Sequence, residues 1–402
     1  MSTDFSDSMD VTTWTRCCNV TTIMSLFFVH DHTIIDINTA NEFQVKEDTD
    51  HVIVKGVDSI ISNEVVFWIG AIANAGLQPL LFILGAPGNI LCAAVFYKLG
   101  LRERINLCVF ALALVDLATI TFTVFIAVEA ALRDLLEVEL NFFIQYFIGP
   151  LGFQYASMFV STTIACERCF CVVSPFKAQR YIKTSTTAVI ITVVTVVIVG
   201  AMCAFDGPTQ KAVTVYDPVS NTTKSVVYYT DYYINNREII DIFDIFVYSM
   251  FIPLVAIVVT VITTAITAVK LCHAVTWRDQ TTTTVNIDTT KTRTSSKEVA
   301  LTKMLIATSI LFIVCVTPII VVQMTMYFVK ELNFNGRYVN LNDLLWVIIS
   351  VLRMLNFSLN FYIYYNIGSK FRETLREMLR FRSFNKYKNN LSQQSFLVTK
   401  TL

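Results

Sequence analysis

Glu167-Arg168-Cys169 closes a long apolar run and opens the polar-flanked stretch CFCVVSPFKAQRY. A carboxylate beside an arginine is expensive to keep at a membrane boundary, so the pair is expected to act as a switch rather than as filler. Other polar groups sit deeper in apolar runs: Asn89, Asp116, Asn356 and Asn360. Taken alone, Asp116 reads either as an ion ligand or proton relay, or as a hydrogen-bonded strut between helices. Arg353, within the last apolar run, is the cation to explain. It is either a bidentate contact for an anionic ligand group or one half of an internal pair with Glu129 or Asp244. Gln323, Tyr327, Tyr155 and Phe153 are candidates for lining the same cavity. No catalytic set accompanies them. His30, His32, His51 and His273 all lie outside the apolar runs; Cys166 and Cys169 form one C-x-x-C pair, but no second pair or nearby His completes a zinc set, and with Cys171 they are most simply small packing residues, so no enzyme is expected.

The elements that must position these residues follow from composition. The chain has 402 residues, 54% hydrophobic and 15% charged, with a mean hydropathy of +0.57. A soluble domain this apolar would expose aggregating patches, and a helix needs about 20 apolar residues to cross a bilayer. Seven spans are predicted, at 66–97, 106–132, 143–173, 187–205, 242–270, 300–329 and 342–367. The expected fold is an all-α membrane protein, a seven-helix bundle with an amphipathic helix on the membrane surface. The organisation is a tail over 1–65, the bundle over 66–367, the surface helix over 368–382 and a second tail over 383–402. Most of the 31 Lys and Arg follow odd-numbered spans or lie in the last tail, which places the N-terminus outside and the C-terminus inside. The first tail is acidic and shows no basic region followed by a long apolar core, so no cleaved signal peptide is expected, and the run 23–29 is too short to span. Asn19 and Asn221 head glycosylation acceptors on the outer side, in agreement with that orientation. Phe371, Leu375, Met378 and Leu379 share one helical face flanked by Arg372, Arg376 and Arg380, a pattern that suits anionic lipid.

Taken in order, these residues resemble the rhodopsin-like G-protein-coupled receptors over about 75–382. Gly88-Asn89 resembles the family's first-span pair, and Asn106-Leu107 through Asp116 its second-span motif. Glu167-Arg168-Cys169 is similar to its Asp/Glu-Arg-Tyr switch, and Pro253 to its fifth-span proline. Phe312 through Pro318 is similar to F-x-x-C-W-x-P, and Asn360-Phe361-Tyr362-Ile363-Tyr364 to N-P-x-x-Y. Phe371-Arg372 matches the start of the surface helix. The resemblance implies that Arg168 pairs with Glu167 and with Glu298, that Pro253 and Pro318 are hinges, and that Tyr364 turns inward on activation. It implies an allosteric sodium ion on Asp116, Ser157, Asn356 and Asn360, with no other metal or cofactor. It implies an extracellular ligand, a heterotrimeric G protein, a receptor kinase and arrestin as partners, with membrane lipid around the bundle, no nucleic acid, and a multi-pass place in the plasma membrane. The G protein would engage Arg168, the loop 175–180 and the inner ends of the fifth and sixth helices, and the Thr and Ser of 281–296 would be kinase sites.

The chain also departs from the family pattern. The third-helix cysteine position holds Phe143, and 206–241 contains no cysteine, so the outer disulfide is missing. Val316 replaces the sixth-span Trp, Val261 the fifth-span Tyr and Phe361 the seventh-span Pro. Met354 stands at the retinal-attachment position and Pro150 at the amine-receptor Asp position, which argues against light and biogenic amines as stimuli. The overall flavour resembles divergent invertebrate neuropeptide (FMRFamide-like) or chemosensory receptors. An ion- or proton-coupled transporter is the alternative, with Asp116 and Arg353 on its path, but it predicts inverted repeats that the sequence lacks.

Overall fold

The structure is a computed structural model that describes residues 61–136, 146, 149–175, 177–178, 183–217, 222–282, 289–332 and 337–380. Asn19, Phe143 and Asn221 fall outside them. Seven of the described helices are long and apolar enough to cross a membrane.

Helix α1 runs over Asn63–Leu99, with a π-helical turn at Ile72–Leu77. The chain reverses after it at Gly100, whose φ of 98° is open to glycine at little cost. Asn106 ties that reversal down by donating to the Gly100 carbonyl at 3.1 Å and to Glu103 at 3.1 Å, just inside helix α2 (Arg104–Leu136). Helix α3 (Gly152–Val173) starts from a tight turn at Gly149–Leu151. The apolar pattern starts this span at 143; of residues 143–148 only Tyr146 is described, and it is helical. Pro150 lies in the tight turn, whose first positions suit proline. Helix α4 (Thr184–Phe205) is rich in Val, Ile and Thr, poor helix formers in water. In lipid the backbone has no other way to satisfy its hydrogen bonds. Its face bearing Val189, Val193, Val196 and Val197 is exposed, as a lipid-facing surface must be.

Between α4 and the fifth helix the chain forms an antiparallel hairpin of β1 (Gln210–Asp217) and β2 (Thr222–Tyr229), paired from Gln210 with Tyr229 to Asp217 with Thr222. It is pinned at its base. Thr230 donates its amide to the Thr209 carbonyl at 3.0 Å and its hydroxyl to the Pro208 carbonyl at 2.6 Å. The same hydroxyl caps the next helix, and Tyr229 stacks on Tyr233 at 4.4 Å. These contacts hold the hairpin to the bundle without a disulfide; the eight cysteines among the described residues are free.

Helix α5 comprises Asp231–Ile242, a π-helical stretch Phe243–Phe251 and Ile252–Thr282. The wide turns end beside Pro253, which has no N–H to give, and the Ile252 amide reaches back to the Val247 carbonyl. Helix α6 (Thr289–Phe328) carries Pro318 in its interior. Helix α7 runs over Val339–Ser358, breaks at Leu359 and resumes as Asn360–Ile367. The predicted span was continuous to 367. At the break the Leu359 carbonyl accepts from both Tyr362 at 3.1 Å and Ile363 at 3.3 Å, although no proline is present. A last helix, α8, covers 369–380.

The two largest of four apolar clusters among the described residues stack along the bundle. The one toward the Arg168 end, called inner below, gathers Phe96, Val109, Leu112, Ile164, Met304, Tyr364 and Phe371. The other gathers Ile126, Tyr155, Met158, Tyr248, Phe312 and Val316. Helices α1 and α7 cross most closely where α1 has glycine. A Cβ on Gly88 would sit 2.9 Å from the Phe361 Cβ, and one on Gly85 2.7 Å from that of Ser358.

Candidate functional site

Between the two cores lies a polar cluster built by α1, α2, α3 and α7. Asp116 is fully buried. One of its carboxylate oxygens accepts from the Ser157 hydroxyl at 2.5 Å, the other from the Asn360 amide at 2.8 Å. Asn360 can reach it because α7 restarts there after the break at Leu359. Asn89 donates to the Phe357 carbonyl at 2.9 Å, on the other side of the same break. Asn356 and Asn360 face a small cavity of roughly 10 Å³ with Ser161, Thr260, Thr308 and Ser309, about the room one water needs. Three of the four residues read from the sequence as a sodium set are therefore in direct contact, and Asn356 lies beside them. Carboxylate, hydroxyl and amide oxygens are the ligands a hard cation takes, so the donor set fits sodium chemically.

At the inner end, Glu167 is buried and Arg168 grips it. Both the Arg168 Nε and Nη2 lie 2.6 Å from the Glu167 Oε2. The other oxygen, Oε1, faces the Arg104 Nε at 3.7 Å and accepts from the Cys171 thiol at 3.2 Å. Arg104 also donates to the Ala178 carbonyl at 2.5 Å and to the Cys171 sulfur at 3.5 Å. The sequence reading missed Arg104. Its only signal there was a cation two residues before Asn106, which reads as a topology marker. Glu298 lies in α6, and its side chain is outside the described residues.

These groups open onto a cavity of about 930 Å³ at the inner end. Arg102, Arg104, Arg168, Lys183 and Lys370 line it, against Glu103 and Glu167. Tyr364 is buried close by, edge-on to Phe96 at 5.6 Å and 6.0 Å from Phe371. Helix α8 buries Phe371 and Leu375 against the bundle, and Arg372 caps the end of α7 by donating to the Tyr365 carbonyl at 2.8 Å and to the Asn366 carbonyl. Lys98 of α1 meets Glu377 of α8 at 3.4 Å.

Toward the outer end, Arg353 donates to Gln154 at 3.3 Å and its guanidinium lies 5.8 Å from the Trp346 ring centroid. Tyr155 packs on Tyr248 with centroids 5.0 Å apart, and the Tyr248 hydroxyl donates to the Ile198 carbonyl at 3.2 Å. Phe153 stacks on Phe122. The π-helical stretch of α5 turns Asp244 inward, where its carboxyl meets that of Asp206 at the end of α4. Glu129 is buried in α2, and the Gln323 side-chain oxygen is buried with no hydrogen bond among the described residues. The Tyr327 side chain lies outside them. Gln154, Trp346 and Asp206 were not anticipated, because each only becomes informative once its cross-bundle neighbour is known.

Two comparisons bear on this arrangement. The sequence profile of the family described as 7 transmembrane receptor (rhodopsin family) matches residues 88–364. Comparison with individual curated proteins finds no match.

Proposed function

The chain belongs to the rhodopsin family of seven-transmembrane receptors, and on that premise we propose that the Glu167–Arg168 pair is its activation switch. As a member of that family it is a multi-pass plasma-membrane receptor that binds an extracellular ligand and signals through a heterotrimeric G protein. Family members are generally not enzymes, and in our reading this one transmits by binding alone.

One observation carries the switch assignment. Arg168 is held by a buried carboxylate on the wall of a cavity of about 930 Å³ that five cations line. Released from Glu167, its guanidinium has a cavity to enter, and a partner element bearing acidic groups or a terminal carboxylate complements the lining. Glu298 serves as its second partner on α6, Pro253 and Pro318 supply the bends, and Tyr364 leaves its aromatic nest to support the open form. Asp116, Ser157, Asn356 and Asn360 hold a sodium ion, which would supply a positive charge between α2, α3 and α7. The ligand enters from the hairpin end, with the N-terminal tail outside the cell, and engages the region of Arg353, Glu129, Asp244, Gln323 and Tyr327. It is a peptide or a small chemosensory molecule. Receptor kinase and arrestin act on the Thr and Ser of 281–296.

The test is expression with a promiscuous G protein and calcium release as readout, screened against peptide and odorant libraries. Wild type responds to one class, and Arg168→Ala, at equal surface expression, does not. A full response from Arg168→Ala would remove Arg168 from the mechanism.

A further inference from the structure

Glu167 is a single carboxylate shared by two arginines. The side chains of Glu167, Arg168 and Arg104 are only 6%, 15% and 13% exposed. Arg168 takes one oxygen at 2.6 Å, while Arg104 faces the other at 3.7 Å, a looser distance with slack to close. Withdrawing one partner from a buried ion pair is strongly destabilising, because the remaining charge is left uncompensated. A switch that releases Arg168 therefore needs a second cation for Glu167, or its open form is penalised. Arg104 is placed to supply it. It comes from a different helix, α2, so it does not leave with Arg168. The Ala178 carbonyl at 2.5 Å anchors its guanidinium, and the Cys171 sulfur, itself beside Glu167 Oε1, lies 3.5 Å from it. The Cys171 thiol, the other group on Oε1, is a weak neutral donor and supplies no charge.

We propose that Arg104 is a positioning residue that takes over Glu167 when Arg168 moves into the inner cavity. This rests on the reading of Glu167–Arg168 as the switch. The hand-over keeps the buried carboxylate paired in both states and so lowers the cost of releasing Arg168. It also draws the start of α2 and the Ala178 segment into the same two-state element.

The experiment uses the full chain in lipid nanodiscs, with binding of a nucleotide-free promiscuous G protein as readout, so no ligand is needed. Arg104→Gln weakens binding about tenfold relative to wild type, with thermal stability measured alongside. Arg104→Lys, which keeps the charge, recovers most of the loss. The decisive arm repeats Arg104→Gln in a Glu167→Gln background, where a neutral amide leaves no charge to hand over, and there the loss disappears. An equal loss in both backgrounds would mean that Arg104 only tethers the Ala178 segment, and the proposal falls. It falls as well if Arg104→Gln binds like wild type. Arg168→Ala is the separate check on the underlying reading: if it binds normally, the switch assignment fails whatever Arg104 does.

Discussion

At the scale of single residues, Asp116 shows what burial demands of a charge in hydrocarbon. The sequence left it open between ion ligand and strut, and the structure gives it a donor on each oxygen, from α3 and from α7. Ser157→Ala deletes one donor and strands a buried oxygen, so the receptor loses about 1–3 kcal/mol of stability. Asp116→Asn in the same background recovers part of the loss, because an amide is cheaper than a carboxylate to leave unmet. Thermal unfolding of the purified receptor in detergent reads both, and a midpoint unchanged by Ser157→Ala would remove the strut role. Asp116 and Asn360 were legible because each stands out against an apolar span, and Ser157 only through the family resemblance. Arg104 was not, because a cation at a span's end looks the same whether it marks topology or meets a carboxylate on another helix. For Arg353 the sequence left two readings, and neither contained Gln154 or Trp346, the neighbours that folding supplies.

At the scale of elements, hydropathy located the spans but not their irregular turns. The wide turn ends beside Pro253, which has no N–H to give, and at the break at Leu359 Asn89 of α1 claims the Phe357 carbonyl that a regular helix would keep to itself. The hairpin Gln210–Tyr229 falls between two spans, where hydropathy marks no element; its β-branched runs fit strands, but nothing in the sequence sets its register. The α1–α7 crossing gives a test at this scale. Gly88→Val places a side chain where Phe361 packs, at a cost of about 1–3 kcal/mol for overpacking, and lowers surface expression. Phe361→Ala opens that space and restores expression in the double variant. Restoration by a distant stabilising substitution but not by Phe361→Ala would show that the clash is not the cause.

At the scale of the whole molecule, the polar cluster ties α2, α3 and α7 together at mid-depth while the inner cavity opens beneath them. The sodium ion proposed for Asp116 would stabilise that cluster by mass action. Replacing potassium with sodium at constant ionic strength therefore raises the unfolding midpoint of the wild-type receptor and leaves Asp116→Asn unmoved. An equal sodium effect in both would place the ion elsewhere.

By itself the sequence determined the seven-helix bundle and the family, because about 20 apolar residues per span and a set of ordered polar motifs are properties of the chain read one segment at a time. It also determined which residues are costly enough in lipid to need partners. The tertiary structure alone decided partners that no motif had grouped: Arg104 on Glu167, and Gln154 and Trp346 beside Arg353. Desolvation is set by a residue's type and depth, which spacing reveals. Pairing is set by the rotation and register of separate helices against one another, fixed only when the bundle packs.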